Sequence, residues 1–132
     1  MTHYGTVNVN ASEATVALTV QGPDGDSEDI IFVIDTGDTG DLSLPHEIIA
    51  RLNLPMIQEE EPAVAILADG TARPLSLYYA HVLWHGQLRE VEVVDISPDP
   101  LVGMGLLRGS NLSIDATPGG LVTITELSSI FC

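Results

Sequence analysis

The chain has few cations and almost no cysteine, and each shortage excludes something. There is no lysine, and four arginines (Arg51, Arg73, Arg89, Arg108) face nineteen acidic side chains, for a net charge of −15. That balance argues strongly against nucleic acid as a partner, because phosphate binding rests on Lys and Arg neutralisation. Anionic membrane surfaces are disfavoured for the same reason. No apolar run reaches the roughly 18 residues that a membrane span requires. The opening stretch MTHYGTVNVNASE has neither the basic nor the apolar segment of a secretory leader, so the expected location is cytoplasmic. Cys132 is the one cysteine, which leaves no disulfide framework and no thiolate metal site. His3, His46, His81 and His85 are scattered without metal-ligand spacing, so neither a metal nor another cofactor is expected. The excess acid serves solubility, or life in a salty or acidic niche, and would also attract neutral or cationic peptides.

What is present is enough for a core. With 132 residues and 45% of them hydrophobic, the chain fits one domain over residues 1–132. Short runs rich in Val, Ile, Leu, Thr and Tyr read as strands: GTVNVNA (5–11), ATVALTVQG (14–22), DIIFVID (29–35), PAVAILADG (62–70), LSLYYAHVLWHG (75–86), REVEVVDI (89–96), NLSIDA (111–116) and GLVTITEL (120–127). Turn residues separate them, among them Asp69-Gly70, His85-Gly86 and Pro118-Gly119-Gly120. Residues 44–55, LPHEIIARLNLP, place Ile48, Ile49, Leu52 and Leu54 largely on one helical face, and a weaker helical turn is expected at 103–110. QEEEP (58–62) reads as a solvated loop, and Trp84 as core or sheet surface. About eight strands with one short helix predict an all-β fold, a small closed β-barrel.

The two halves share an order of features without sequence identity: hairpin, apolar strand, Gly-containing loop, helix-like stretch. In the first half the loop is Asp35-Thr36-Gly37, repeated at once as Asp38-Thr39-Gly40; in the second it is Leu101-Val102-Gly103. Asp and Gly are common where strands end in turns, so Asp-Thr-Gly alone is a weak signal. A calcium loop fits poorly. Numbered from Asp35, the EF-hand ligand positions 3, 5 and 12 fall on Gly37, Thr39 and His46, and a strand leads in. No serine sits in a Gly-x-Ser-x-Gly setting, which leaves a serine hydrolase unsupported.

Asp-Thr-Gly after an apolar strand, followed by Leu42-Ser43-Leu44-Pro45 and a helix, resembles the retropepsin-like aspartic proteases, and among them the small single-domain cellular type of prokaryotes. The later Leu101-Val102-Gly103 with Leu106-Leu107 completes the resemblance, which runs from about residue 5 to residue 125. The family's pattern is in register from Asp35 and out of register from Asp38, so the first copy takes the catalytic role. The resemblance implies that Thr36 braces the loop of a partner and that Gly37 allows close backbone approach. Ala68, Asp69 and Gly70 fall at the tip of a flap over the substrate, and Leu101, Val102 and Gly103 beside the substrate pockets, with an apolar preference. Proteases of this kind need two carboxylates. With no acid in Leu101-Val102-Gly103, the resemblance implies a homodimer in which each copy gives one Asp35 to cleave a peptide or protein substrate. GTVNVNA and GLVTITEL then become candidates for an intersubunit sheet. The chain departs from the family at Asp38 and Asp41, where small or aromatic residues are usual. An added carboxylate beside the dyad implies a pH optimum nearer neutral, or a weak enzyme, and keeps open a non-cleaving dimerisation or peptide-binding module on the same fold.

Overall fold

Side-chain alternation decides the wall of the barrel. In the computed structural model, which describes residues 1–10, 12–58 and 64–128, strand β2 (Ala14–Gln21) buries Val16, Leu18 and Val20 and exposes Ala17 between them. Strand β3 (Ser27–Ile34) buries Ile30 and Phe32 and exposes Ile31. The same period of two runs through β7 (Leu77–Trp84), which buries Tyr78, Ala80, Val82 and Trp84, and β8 (Gln87–Val94), which buries Val91 and Val93. Each strand therefore gives one face to a common interior, as the pleat dictates.

Two short strands complete the ring. β4 (Leu42–Ser43) and β9 (Leu101–Val102) lie between the hairpins, and the order β2-β3-β9-β4-β8-β7 closes where β7 pairs back onto β2. The result is a closed six-stranded barrel. Helix α1 (His46–Arg51) sets Ile48 and Ile49 into the core, and helix α2 (Met104–Leu107) does the same with Leu106 and Leu107. Outside the ring, β1 (Thr2–Val7), β11 (Leu121–Glu126) and β10 (Ser110–Ile114) extend the sheet from β2 in the order β10-β11-β1-β2. A separate hairpin is formed by β5 (Val64–Ile66) and β6 (Ala72–Pro74). Among the described residues no helix is long and apolar enough to cross a membrane.

The two halves are related by pairing. β4 runs parallel to β8 with Leu42 beside Val93, and β9 runs parallel to β3 with Leu101 beside Val33. The two short strands cross antiparallel, Leu42 beside Val102 and Ser43 beside Leu101. Each half thus sends its short strand into the other half's hairpin, and the expected coarse repeat is a pseudo-two-fold of the barrel.

Several expected boundaries move. The first strand starts at Thr2 and stops at Val7, because the Asn8 side-chain oxygen accepts from the backbone N–H groups of Ser12 and Glu13 and turns the chain. Helix α1 covers only 46–51 of the expected 44–55. Leu52 caps it, and Asn53 at φ 52° leads the chain out. Strands β4 and β9 were not expected, being too short to carry a period. Of QEEEP, residues 59–62 lie outside the described residues. Trp84 is core, 5% exposed.

β1 and β11 are not free for an intersubunit sheet. β11 is paired with β10 on one edge and β1 on the other, and β1 is itself held between β11 and β2. Among the described residues, the strand of the main sheet that carries an edge without a partner strand is β10.

Candidate active site

Asp35 follows directly on β3, and its position is held by the strand below it. The backbone N–H of Asp35 donates to the Val102 carbonyl at 2.9 Å, one step beyond the parallel pair Ile34–Val102. The Val33 N–H donates to Pro100 at 2.9 Å in the same ladder. Asp35 is half-buried, and its Oδ1 accepts from the Gly37 N–H at 3.0 Å. Thr36 and Gly37 are exposed at the loop surface. Asp35 and Thr36 line an open cleft of about 530 Å³ whose apolar walls include Val33, Ile34, Leu101 and Ile114. Glu13 also lines it, and no cation does.

The second Asp-Thr-Gly has the same local turn but a different environment. Asp38 Oδ1 accepts from the Gly40 N–H at 2.8 Å, so the stutter is a turn made twice. The backbone of the second copy is then fastened to the start of α2. Met104 N–H donates to Asp38 O at 2.7 Å, Gly105 N–H to Gly40 O at 3.0 Å, and Gly103 N–H to Asp41 O at 3.0 Å. Asp41 Oδ2 accepts from the Glu92 N–H at 3.1 Å. A Cβ on Gly105 would stand 2.6 Å from Asp41 Oδ1 and 2.8 Å from the Gly40 backbone, so only glycine lets the loops meet. The first copy opens on the cleft; the second ties two loops together.

Of the pocket residues expected from sequence, Leu101 lines the cleft with Asp35. Val102 does not: it is fully buried in the barrel core, since successive residues of β9 face opposite ways. Gly103 is buried where its backbone meets the Asp38–Asp41 loop. Ala68, Asp69 and Gly70 form the exposed tip of the β5–β6 hairpin, apart from the main sheet. The tip is a three-residue loop rather than the two-residue turn that Asp-Gly suggests. Leu67 N–H donates to Thr71 O at 2.8 Å, and Gly70 takes φ 84°. Asp69 Oδ1 accepts from both the backbone and the hydroxyl of Thr71, and these bonds hold its carboxyl below the usual range.

The pairing also corrects the internal alignment. Leu101 takes the place of Leu42, not of Asp35; the residue equivalent to Asp35, one step past the parallel pair Val94–Ser43, is Asp95. The second half therefore does have a carboxylate at that step, paired at 3.2 Å with His46 Nδ1. The signal was legible, since both hairpins end in an apolar pair followed by Asp: Val33-Ile34-Asp35 and Val93-Val94-Asp95. Gly105, Glu13 and Ile114 were missed, because nothing in their local sequence marks them. Among the described residues no three His, Cys, Asp or Glu side chains stand where they could hold a metal ion.

The architecture is that of the retropepsin-like aspartic proteases. A retropepsin-like aspartic protease from Rickettsia conorii superposes with a TM-score of 0.58 at 15% identity, over 98% of this chain and 95% of that one. EIAV protease in complex with the inhibitor HBY-793 superposes with a TM-score of 0.54 at 16% identity, over 74% of this chain and 86% of that one. No family model matches the sequence, and no curated protein does.

Proposed function

We propose that this chain is an aspartic endopeptidase acting as a homodimer, with Asp35 of each copy forming a shared pair of carboxylates. The fold is one that aspartic proteases use, and the observation that carries the reading is the seating of Asp35. It ends a core strand, is locked through its N–H to Val102, and stands half-buried at the mouth of an apolar cleft. Rigid presentation of this kind is what a reacting side chain needs.

The chemistry follows from crowding two carboxyl groups, as in aspartic proteases generally. Both cannot ionise easily at one site, so one retains its proton. The ionised group takes a proton from a water as that water attacks the scissile carbonyl. The protonated group stabilises the developing oxyanion, and the proton taken from the water passes to the leaving amine as the C–N bond breaks.

Among the described residues of one chain no second carboxylate is engaged with Asp35; Glu13, on the same cleft, accepts from the Asn8 amide at 3.4 Å. Asp95 follows β8, which is separated from β3 by β9 and β4; three spacings of about 4.8 Å put it roughly 14 Å away along the sheet, and it is engaged by His46. Asp41 is held by the Glu92 N–H, and Asp38, fastened through its carbonyl to the Met104 N–H, does not line the cleft. A second copy related by a two-fold axis supplies the missing group. Thr36, exposed and without a side-chain hydrogen bond among the described residues, is available to brace the second copy's loop. The tip Ala68-Asp69-Gly70 serves as a flap, Gly37 keeps the loop open to substrate, and Leu101 with Ile114 favours apolar side chains.

The test compares wild type with Asp35→Asn on a denatured protein and a peptide library from acid to neutral pH. Cleavage by wild type and none by the variant is the expected result. If the two behave alike, binding peptides without cutting, a dimerisation or peptide-binding module replaces the enzyme.

A further inference from the structure

The four arginines are not used alike. Arg51 forks onto Glu28, with Nε 3.0 Å from Oε2, and Arg73 reaches the Asp95 carbonyl at 3.5 Å. Arg89 and Arg108 make no ion pair and no side-chain hydrogen bond among the described residues, in a chain with nineteen acidic groups. Both line the same open cavity, about 470 Å³, at the turn end of the β7–β8 hairpin. It shares no lining residue with the cleft beside Asp35.

The floor of this cavity is fixed. His85, at φ 50° in the hairpin turn, has its Nε2 2.8 Å from the Ser110 hydroxyl. Its backbone N–H donates to His3 Nε2 at 3.0 Å, and the His3 ring stacks on Trp84 at 4.6 Å. Glu126, the one acid on the wall, lies 3.9 Å from the N-terminal ammonium of Met1. Leu127, 54% exposed, lies on the same wall, so the cavity holds apolar surface as well as the two guanidinium groups; Leu88, opposite Leu83, alternates with Arg89 to the other face of β8.

We propose that this cavity is a carboxylate-binding site, in which Arg89 and Arg108 clamp the carboxylate of a ligand whose apolar part rests on Leu127. A guanidinium fork matches a carboxylate in two bonds, and a built site is what lets an anion bind against the repulsion of a −15 chain. An apolar group next to a carboxylate is the chemistry of a peptide's C-terminal apolar residue and equally of a small apolar organic acid. Inorganic phosphate meets the arginines but gains nothing from Leu127.

The experiment uses the full chain carrying Asp35→Asn, so that no peptide is cut and the outcome is independent of the protease reading. The fluorescence of Trp84, the chain's one tryptophan, reports binding. N-acetyl-leucine binds saturably and N-acetyl-leucinamide does not. Arg89→Gln and Arg108→Gln each weaken N-acetyl-leucine about tenfold or more, as loss of a charged hydrogen bond implies. Arg→Lys at either position restores part of the affinity, because the charge returns without the fork. A short peptide acid ending in leucine that binds more tightly than N-acetyl-leucine identifies a peptide terminus as the ligand; equal binding identifies a small acid. Equal response to acid and amide, affinity unmoved by both Arg→Gln changes, or tighter binding of inorganic phosphate overturns the proposal.

Discussion

Asp35 and Asp95 stand at equivalent steps of the two half-barrels, each one residue past a strand that pairs in parallel with the opposite half's short strand. Their fates differ. Asp35 opens on a cleft, whereas Asp95 is held by His46. The pseudo-two-fold thus offers two carboxyl positions and leaves one without a side-chain partner among the described residues. A symmetric pair of open carboxylates then requires a second chain, which is the physical basis of the dimer proposed here.

Asp38→Ala tests the second Asp-Thr-Gly. Loss of the Gly40 N–H bond costs about 0.5–1.5 kcal/mol in thermal or denaturant unfolding. An unfolding curve that coincides with wild type would show that the second turn does not depend on this bond.

Gly105→Ala tests the fastening of the two loops. The new methyl meets Asp41 Oδ1 and the Gly40 backbone, and the resulting overpacking costs about 1–3 kcal/mol. Peptide cleavage should fall with it, since the displaced loop carries Asp35. A variant as stable as wild type would mean that the loops part without strain.

Neighbouring residues of β3 test the barrel wall. Phe32 is fully buried, and Phe32→Ala costs about 3–5 kcal/mol in urea unfolding. Ile31, 67% exposed, changes stability little on conversion to alanine. Equal losses at the two positions would contradict the register.

The histidine cluster sets an acid limit to stability. Burial lowers the pKa of both His3 and His85, and His85 Nδ1 is buried without a hydrogen bond among the described residues. The unfolded chain therefore takes up protons first, at its ordinary value of about 6.5, and stability falls as pH drops below that point. Above it both states are neutral and these groups add no pH dependence. Glu28, lowered by its hydrogen bond to Arg51, acts in the same direction further into acid. Unfolding free energy measured through the mildly acidic range, for wild type and His3→Gln, checks this; the variant's curve should be flatter.

Self-association should respond to ionic strength. Two chains at −15 repel, and salt or mild acid weakens that repulsion. Sedimentation should show a larger dimer fraction at higher salt, and insensitivity to salt would argue against an acidic interface.

The amino-acid sequence by itself determined the barrel's wall and the place of Asp35. A period of two through Val16-Leu18-Val20 and Tyr78-Ala80-Val82-Trp84 leaves a strand no choice about which face it buries. Strand followed by Asp-Thr-Gly and Leu-x-Leu-Pro carries its meaning within fourteen residues, 32–45. Only the tertiary structure decided that β4 and β9 exist, because two residues have no period and are strands only where neighbours offer hydrogen bonds. It alone decided that Val102 faces the core while Leu101 faces the cleft, that Asp95 matches Asp35, and that β11 has no free edge. Arg89 and Arg108, nineteen positions apart, meet at one cavity because the end of α2 lies against the turn of a hairpin. Local chemistry is written along the chain, but proximity between distant segments is fixed by pairing register and barrel closure.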